Sequence, residues 1–198
     1  TALLQQPAAD WGVFECDELW LAKVTPGLQP TYVLLLNLFR DQLDRCGEID
    51  RIQESIIGSL VASPSTVLVY NADDPLCAAI AAKAPNRSVA FGIDEDLGLA
   101  QNTVADAQMC QMCDAMMGYD WRQYGQLGKY HCDSCGFERP ALAMAAHGVE
   151  LGADRASFEA VAREGAEGAE GSADAVRIAT GQASPYVVYN LLAAWAAA

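Results

Sequence analysis

Two cysteine pairs, Cys110 with Cys113 and Cys132 with Cys135, constrain this chain more than any other feature. Each pair has the C-x2-C spacing that turns two thiolates toward one ion, and the eighteen residues between the pairs fall in the range of a tetrahedral zinc site. Gly136 follows the second pair, where the tight backbone of a metal knuckle favours a residue without a Cβ. Four sulfurs complete a tetrahedron, so the expected Zn2+ keeps no position for water or substrate and acts as a structural staple. The surrounding stretch, from about Ala107 to Pro140, is rich in Cys, Gly, Tyr and Met without a helical period. It predicts a metal-held β-ribbon with its hairpin across Tyr119 to Tyr130. Any chemistry has to come from the rest of the chain.

That rest is large enough to bury a core, since 52% of the 198 residues are hydrophobic. No apolar run reaches the length of a membrane span, and Thr1 to Asp10 lacks the basic and apolar regions of a signal peptide. With four of seven cysteines committed to metal, Cys16, Cys46 and Cys77 read as reduced thiols, and the expected location is cytoplasmic. A net charge of −14 argues against a nucleic-acid-binding ribbon and requires local cations or Mg2+ for any anionic substrate. The lone histidines His131 and His147 read as structural.

Short apolar runs at Gly12 to Cys16, Tyr32 to Asn37, Val67 to Tyr70 and Val89 to Phe91 predict buried strands. Between them Ile49, Ile52, Ile56 and Leu60 recur with helical spacing, and Leu76 to Ala84 predicts an alanine-rich helix. The alternation predicts an α/β fold whose mostly parallel sheet is flanked by helices, with ligands at the carboxyl ends of the strands. Glu15, Asp17 and Glu18 fall at the first such end, Asn37 at the second, and Asn71, Asp73 and Asp74 at the third. Asp74 before Pro75 also reads as a helix N-cap. Asp41 and Asp44, three apart, share a helical face, either to orient Mg2+ and backbone amides or as a capped, ion-paired turn. Beyond the ribbon, Val149 to Leu151, Ser157 to Ala162 and Ala175 to Ala179 predict a small antiparallel sheet, Glu164 to Asp174 an exposed tip, and Tyr186 to Ala198 a helix.

The run Asn37-Leu-Phe-Arg-Asp-Gln-Leu-Asp-Arg-Cys-Gly-Glu48, then Asn71-Ala-Asp-Asp-Pro75, then the four-cysteine insert ending Cys-Gly-Phe-Glu-Arg-Pro140, resembles the central domain of the Mur ligase superfamily. The likeness is greatest to its amidating members, the Mur-ligase-like subunits of lipid II isoglutaminyl synthases; other members carry His where Gln42 stands and lack the ribbon. The resemblance implies a P-loop-type sheet and ATP-dependent phosphorylation of the D-glutamate α-carboxylate in the lipid II stem peptide. Ammonia from a GatD-like glutaminase then gives D-isoglutamine for peptidoglycan. It further implies Mg2+ at Glu15, substrate and phosphate contacts from Asn37, Asp41 and Asp44 with Arg40 and Arg45, and nucleotide contacts from Asn71 and Asp73. Tyr186-Val-Val-Tyr-Asn190 is similar to the family's adenine loop, with Asn190 on its second asparagine and Val187 and Ser184 departing from the pattern. No G-x-x-x-x-G-K-[ST] occurs. The expected organisation is therefore a partial central domain without its P-loop over 1–106, the ribbon over 107–140, the rest of the central domain over 141–198, and no C-terminal Mur domain. These residues alone are expected not to turn over. The alternatives are another amino-acid-adding ligase of the Mur or folylpolyglutamate type, or a non-enzymatic zinc-ribbon interaction module.

Overall fold

A computed structural model describes residues 10–38, 48–99, 108–163 and 175–198. Arg40, Asp41, Asp44, Arg45, Cys46 and the tip at 164–174 lie outside the described residues. The elements run α1 (Glu18–Leu28), β1 (Tyr32–Leu35), α2 (Glu48–Val61), β2 (Val67–Asn71), α3 (Pro75–Lys83), β3 (Ser88–Ile93), β4 (Gly118–Tyr124), β5 (Leu127–His131), β6 (Met144–Leu151), β7 (Ala156–Ala162), β8 (Val176–Thr180) and α4 (Pro185–Ala196).

Six strands form one sheet in the order β1-β2-β3-β6-β7-β8, and β4 pairs with β5 in a separate hairpin. The first four are parallel, with Leu35 opposite Tyr70, Asn71 opposite Phe91, and Phe91 opposite Met144. From β6 onward the pairing turns antiparallel. The central strands are apolar on both sides because both faces are covered, as expected of a parallel sheet. Leu68, Tyr70, Ala90 and Ala145 face a core shared with Ile56, Leu60, Leu76 and the ribbon residues Cys110 and Tyr130. Their neighbours Val69, Phe91, Ile93 and Ala146 face the other core with Phe158, Tyr189 and Leu192. This alternation is the period of two that a strand imposes, and each large apolar side chain it buries contributes about 1.5–3 kcal/mol.

The expected strand at Gly12 to Cys16 is not formed; the segment is irregular and exposed. Its apolar side chains have no cover, with Val13 93% exposed, and an extended run without a hydrogen-bonded neighbour gains nothing from β-propensity. Asp17 and Glu18, read as strand-end acids, instead start α1: Asp17 is its N-cap, accepting from the Leu19 amide at 2.9 Å, and Glu18 lies in its first turn. Pro26 sits inside the last turn of α1, which closes on Gln29 in the left-handed region at φ 46°.

Candidate functional site

The ribbon leaves the sheet after β3 and returns to it at β6. Its two cysteine pairs form matching knuckles. The Cys110 amide donates to Ala115 O at 2.7 Å and the Asp114 amide to Cys110 O at 3.0 Å; the Cys132 amide donates to Phe137 O at 2.8 Å and the Gly136 amide to Cys132 O at 2.9 Å. In each knuckle the residue after the second cysteine is left-handed, Asp114 at φ 60° and Gly136 at φ 74°. The four Sγ atoms all lie within 4.8 Å of one another, with Cys110 to Cys135 at 3.5 Å and Cys113 to Cys132 at 3.6 Å. A metal–sulfur length of about 2.3 Å sets tetrahedral edges of roughly 3.8 Å, so the sulfurs already stand close to what one ion requires. Amides of Cys135 and Ser134 pull the Cys132 thiol down to about 7, while the thiols of Cys110, Cys113 and Cys135 are raised, so the bias toward thiolate falls on one sulfur of the four. His131 faces Asp120 at 3.5 Å and is not among the grouped ligands.

The ribbon is seated on the carboxyl ends of the parallel strands. In β5, just after the hairpin turn, the Gly128 amide donates to Asp73 O at 2.9 Å, and a Cβ on Gly128 would stand 2.2 Å from Trp121 O, so only glycine fits there. Asp73 is fully buried. Its Oδ1 accepts from Arg139 at 3.0 Å, and its Oδ2 accepts from the Tyr189 hydroxyl at 2.7 Å and the Ile93 amide at 2.9 Å. Gly92 makes room for that carboxylate, since a Cβ there would lie 2.5 Å from Oδ1. Arg139 also reaches Asp94 at 2.6 Å, and Arg163 closes on the other oxygen of Asp94. Burial pushes the Asp73 carboxyl up, opposed by Arg139 and the Tyr189 hydrogen bond, whereas at the more open Asp94 the two arginines outweigh burial and hold the carboxyl low.

Asp74 is buried as well. Its Oδ1 caps α3 through the Leu76 amide at 2.9 Å and its Oδ2 accepts from the Leu38 amide at 2.8 Å. Burial pushes its carboxyl up to about 6, and the two amides limit the rise. Asn71 closes the same loop: Nδ2 donates to Leu36 O at 2.9 Å and Oδ1 accepts from the Asp73 amide at 3.1 Å.

The structure thus brings Asn37, Asn71 and Asp73 to one sheet end but puts the last two inside. Both have 0% exposure and their polar atoms are occupied by the protein: Asn71 ends β2, and Asp73, in the loop that follows, is reached from the ribbon by Arg139 and by the Gly128 amide. Asn37 is half-buried, directly beyond β1. Glu15 is exposed in the irregular segment before α1. Asn190 is exposed in α4. Sequence reasoning passed over Arg139, Gln126 and Tyr189, which hold this end together. The available signal was Arg139 itself, a cation just after the second knuckle in a chain with only 12 Lys and Arg. An apolar groove of about 870 Å³ runs along β1, between Trp11, Phe14, Val24, Leu34 and Ala194.

No family model matches the chain. It is 32% identical over 144 residues to a protein of Streptococcus pneumoniae R6, the MurT subunit of lipid II isoglutaminyl synthase (glutamine-hydrolyzing), a match covering 72% of this chain and 32% of the relative. It is 34% identical over 134 residues to the MurT subunit of Staphylococcus aureus COL, covering 67% of this chain and 30% of that one. The chain therefore spans about a third of the length of these curated relatives. Among solved structures, a pseudomurein peptide ligase type C from Methanothermus fervidus superposes with TM-score 0.64 at 27% identity, over 84% of this chain and 30% of that chain. A UDP-N-acetylmuramoyl-L-alanyl-D-glutamate–2,6-diaminopimelate ligase shares the fold, at TM-score 0.56 and 14% identity over 92% of this chain and 28% of that chain.

Proposed function

Because this chain belongs to the Mur ligase superfamily as a MurT-like member, we propose that it forms part of an ATP-dependent ligase of peptidoglycan synthesis that activates a stem-peptide carboxylate for amidation. The observation that carries this reading is a four-cysteine ribbon between β3 and β6 of a Mur-type sheet, in a chain 32–34% identical to MurT subunits. In the reaction, an oxygen of the D-glutamate α-carboxylate of lipid II attacks the γ-phosphorus of ATP, releasing ADP and leaving an acyl phosphate. Ammonia from a GatD-like glutaminase then attacks the acyl carbon, and the C–O bond to phosphate breaks to give the amide. Carboxylate and nucleotide repel one another, and in an acidic chain this repulsion has to be neutralised locally.

Glu15 is the Mg2+ ligand of this proposal; bound Mg2+ supplies neutralisation of phosphate charge. Asn37, Asp41 and Asp44 are assigned to substrate and phosphate binding, and Asn190 to the adenine. Asn71 and Asp73 are assigned to the interior, holding the strand end. The four thiolates fit Zn2+ in a closed tetrahedron, with a structural role.

The test uses the full-length gene product with its glutaminase partner, Mg2+-ATP, glutamine and lipid II, with product followed by mass spectrometry. Amidated lipid II formed with stoichiometric ADP is expected. ATP turnover that requires a free amino acid and ignores glutamine would replace this reading by the amino-acid-adding alternative.

A further inference from the structure

The backbone on either side of Asn37 is held by three side-chain hydrogen bonds from distant parts of the chain. Leu36 O accepts from Asn71 Nδ2 at 2.9 Å, the Leu38 amide donates to Asp74 Oδ2 at 2.8 Å, and Leu38 O accepts from Gln126 Nε2 at 2.7 Å. Asn71 ends β2 and Asp74 lies in the β2–α3 loop. The third, Gln126, belongs to the turn between β4 and β5 and is 88 residues away in sequence. All three are buried.

We propose that Gln126 is a positioning residue for Asn37, through which the ribbon fixes the end of β1. The inference rests on the proposed carboxylate-activating function for its kinetic consequence, but not for its structural one. Several observations support it. First, the chain is itself held at Gln126 and two residues beyond it: the Tyr119 hydroxyl donates to Gln126 O at 3.1 Å, and the Gly128 amide donates to Asp73 O at 2.9 Å. Gln126 therefore reaches Leu38 from a fixed base. Second, Gln126 Nε2 also stands 3.5 Å from Asp74 Oδ2, the atom that accepts the Leu38 amide, so one amide group touches both the backbone carbonyl and the acceptor of the neighbouring bond. Third, Gln126 has 0% exposure; its Nε2 makes both of the contacts just described while its Oε1 has no partner among the described residues, and burying an amide is unfavourable unless its hydrogen bonds are made, so the donor to Leu38 O is the group that offsets the cost of an amide at this position. A ribbon needed only as a staple could present an apolar turn here. Finally, Asn37 itself stays half-buried and reachable between two anchored neighbours. An error on the order of 1 Å in a reacting group costs up to about a hundredfold in rate, so anchoring this residue from both sides matters to a phosphoryl-transfer site.

The test is Gln126→Met in the full-length protein with its partner; the substitution keeps length and volume and removes the donor. Zinc content should remain at the wild-type value. Exchange of the Leu38 amide should accelerate at least about tenfold while that of Leu68, inside β2, is unchanged. With Mg2+-ATP and lipid II, kcat should fall roughly ten- to a hundredfold while KM for ATP stays within about twofold. Unchanged Leu38 exchange overturns the proposal, as does an unchanged kcat, or a fall in kcat matched by equal losses of zinc and folded protein. Gln126→Asn, one methylene short but still an amide, provides the second variant should the methionine prevent folding, with the same expected directions. If the wild-type complex makes no amidated lipid II, the proposed function fails, whereas Leu38 exchange still decides whether Gln126 anchors the strand end.

Discussion

At the scale of single residues, the buried carboxylates carry the most consequence. Arg139 is 7% exposed and pairs with Asp73 and Asp94, so Arg139→Met leaves a fully buried carboxylate without its charge partner. Breaking a buried pair from one side costs about 3–5 kcal/mol, and urea unfolding should show a loss of that size. Asp74 gives a pH signature. Its folded value is raised from 3.8 to about 6, so the folded state holds the proton more tightly, and this contribution to stability is present at low pH and lost as pH rises through about 6. Asp74→Asn should therefore destabilise more at pH 5 than at pH 8, by on the order of 1 kcal/mol in paired denaturation curves. Asp74 before Pro75 was legible as a helix start because a cap needs only local sequence. The partners of Asp73 were not legible: Arg139 and Tyr189 lie 66 and 116 residues away, and no spacing rule reaches that far.

At the scale of elements, apolar runs and periodicity located β1, α2, β2, α3 and β3, cysteine spacing and composition the ribbon hairpin, and the same local signals the strands and helix that follow it. These signals failed at Gly12 to Cys16, where an apolar run exists but no neighbouring strand does, and they passed over α1, a helix that contains Pro26 and Gly27. Pairing and packing decide such segments, and neither is written locally. The ribbon gives two predictions. Cys113→Ser with Cys135→Ser should abolish metal binding, read by elemental analysis, and speed amide exchange in β4 and β5 more than in β2 and β3. Gly128→Ala sets a Cβ against Trp121 O and should cost about 2 kcal/mol or more, seen as a lowered Tm with the metal still bound.

At the scale of the whole molecule, the charge of −14 works against compactness as well as against polyanions. Raising the salt from about 20 mM to about 500 mM shortens the range of that repulsion, and a thermal scan should show a higher Tm. No helix among the described residues is long and apolar enough to cross a membrane. The order of the sheet has a kinetic consequence. The strands β3 and β6 are parallel neighbours, yet the chain travels from Ile93 to Met144 before they meet, with the ribbon inside that excursion. An ion captured early by Cys110 and Cys135 ties off about half of this loop, and each halving of a closing loop saves roughly 0.6 kcal/mol of entropy. Refolding in stopped flow should accordingly close the sheet about threefold faster when Zn2+ is present from the start than when it is added at the end, which would make the metal a shortcut for the search as well as a clasp for its result.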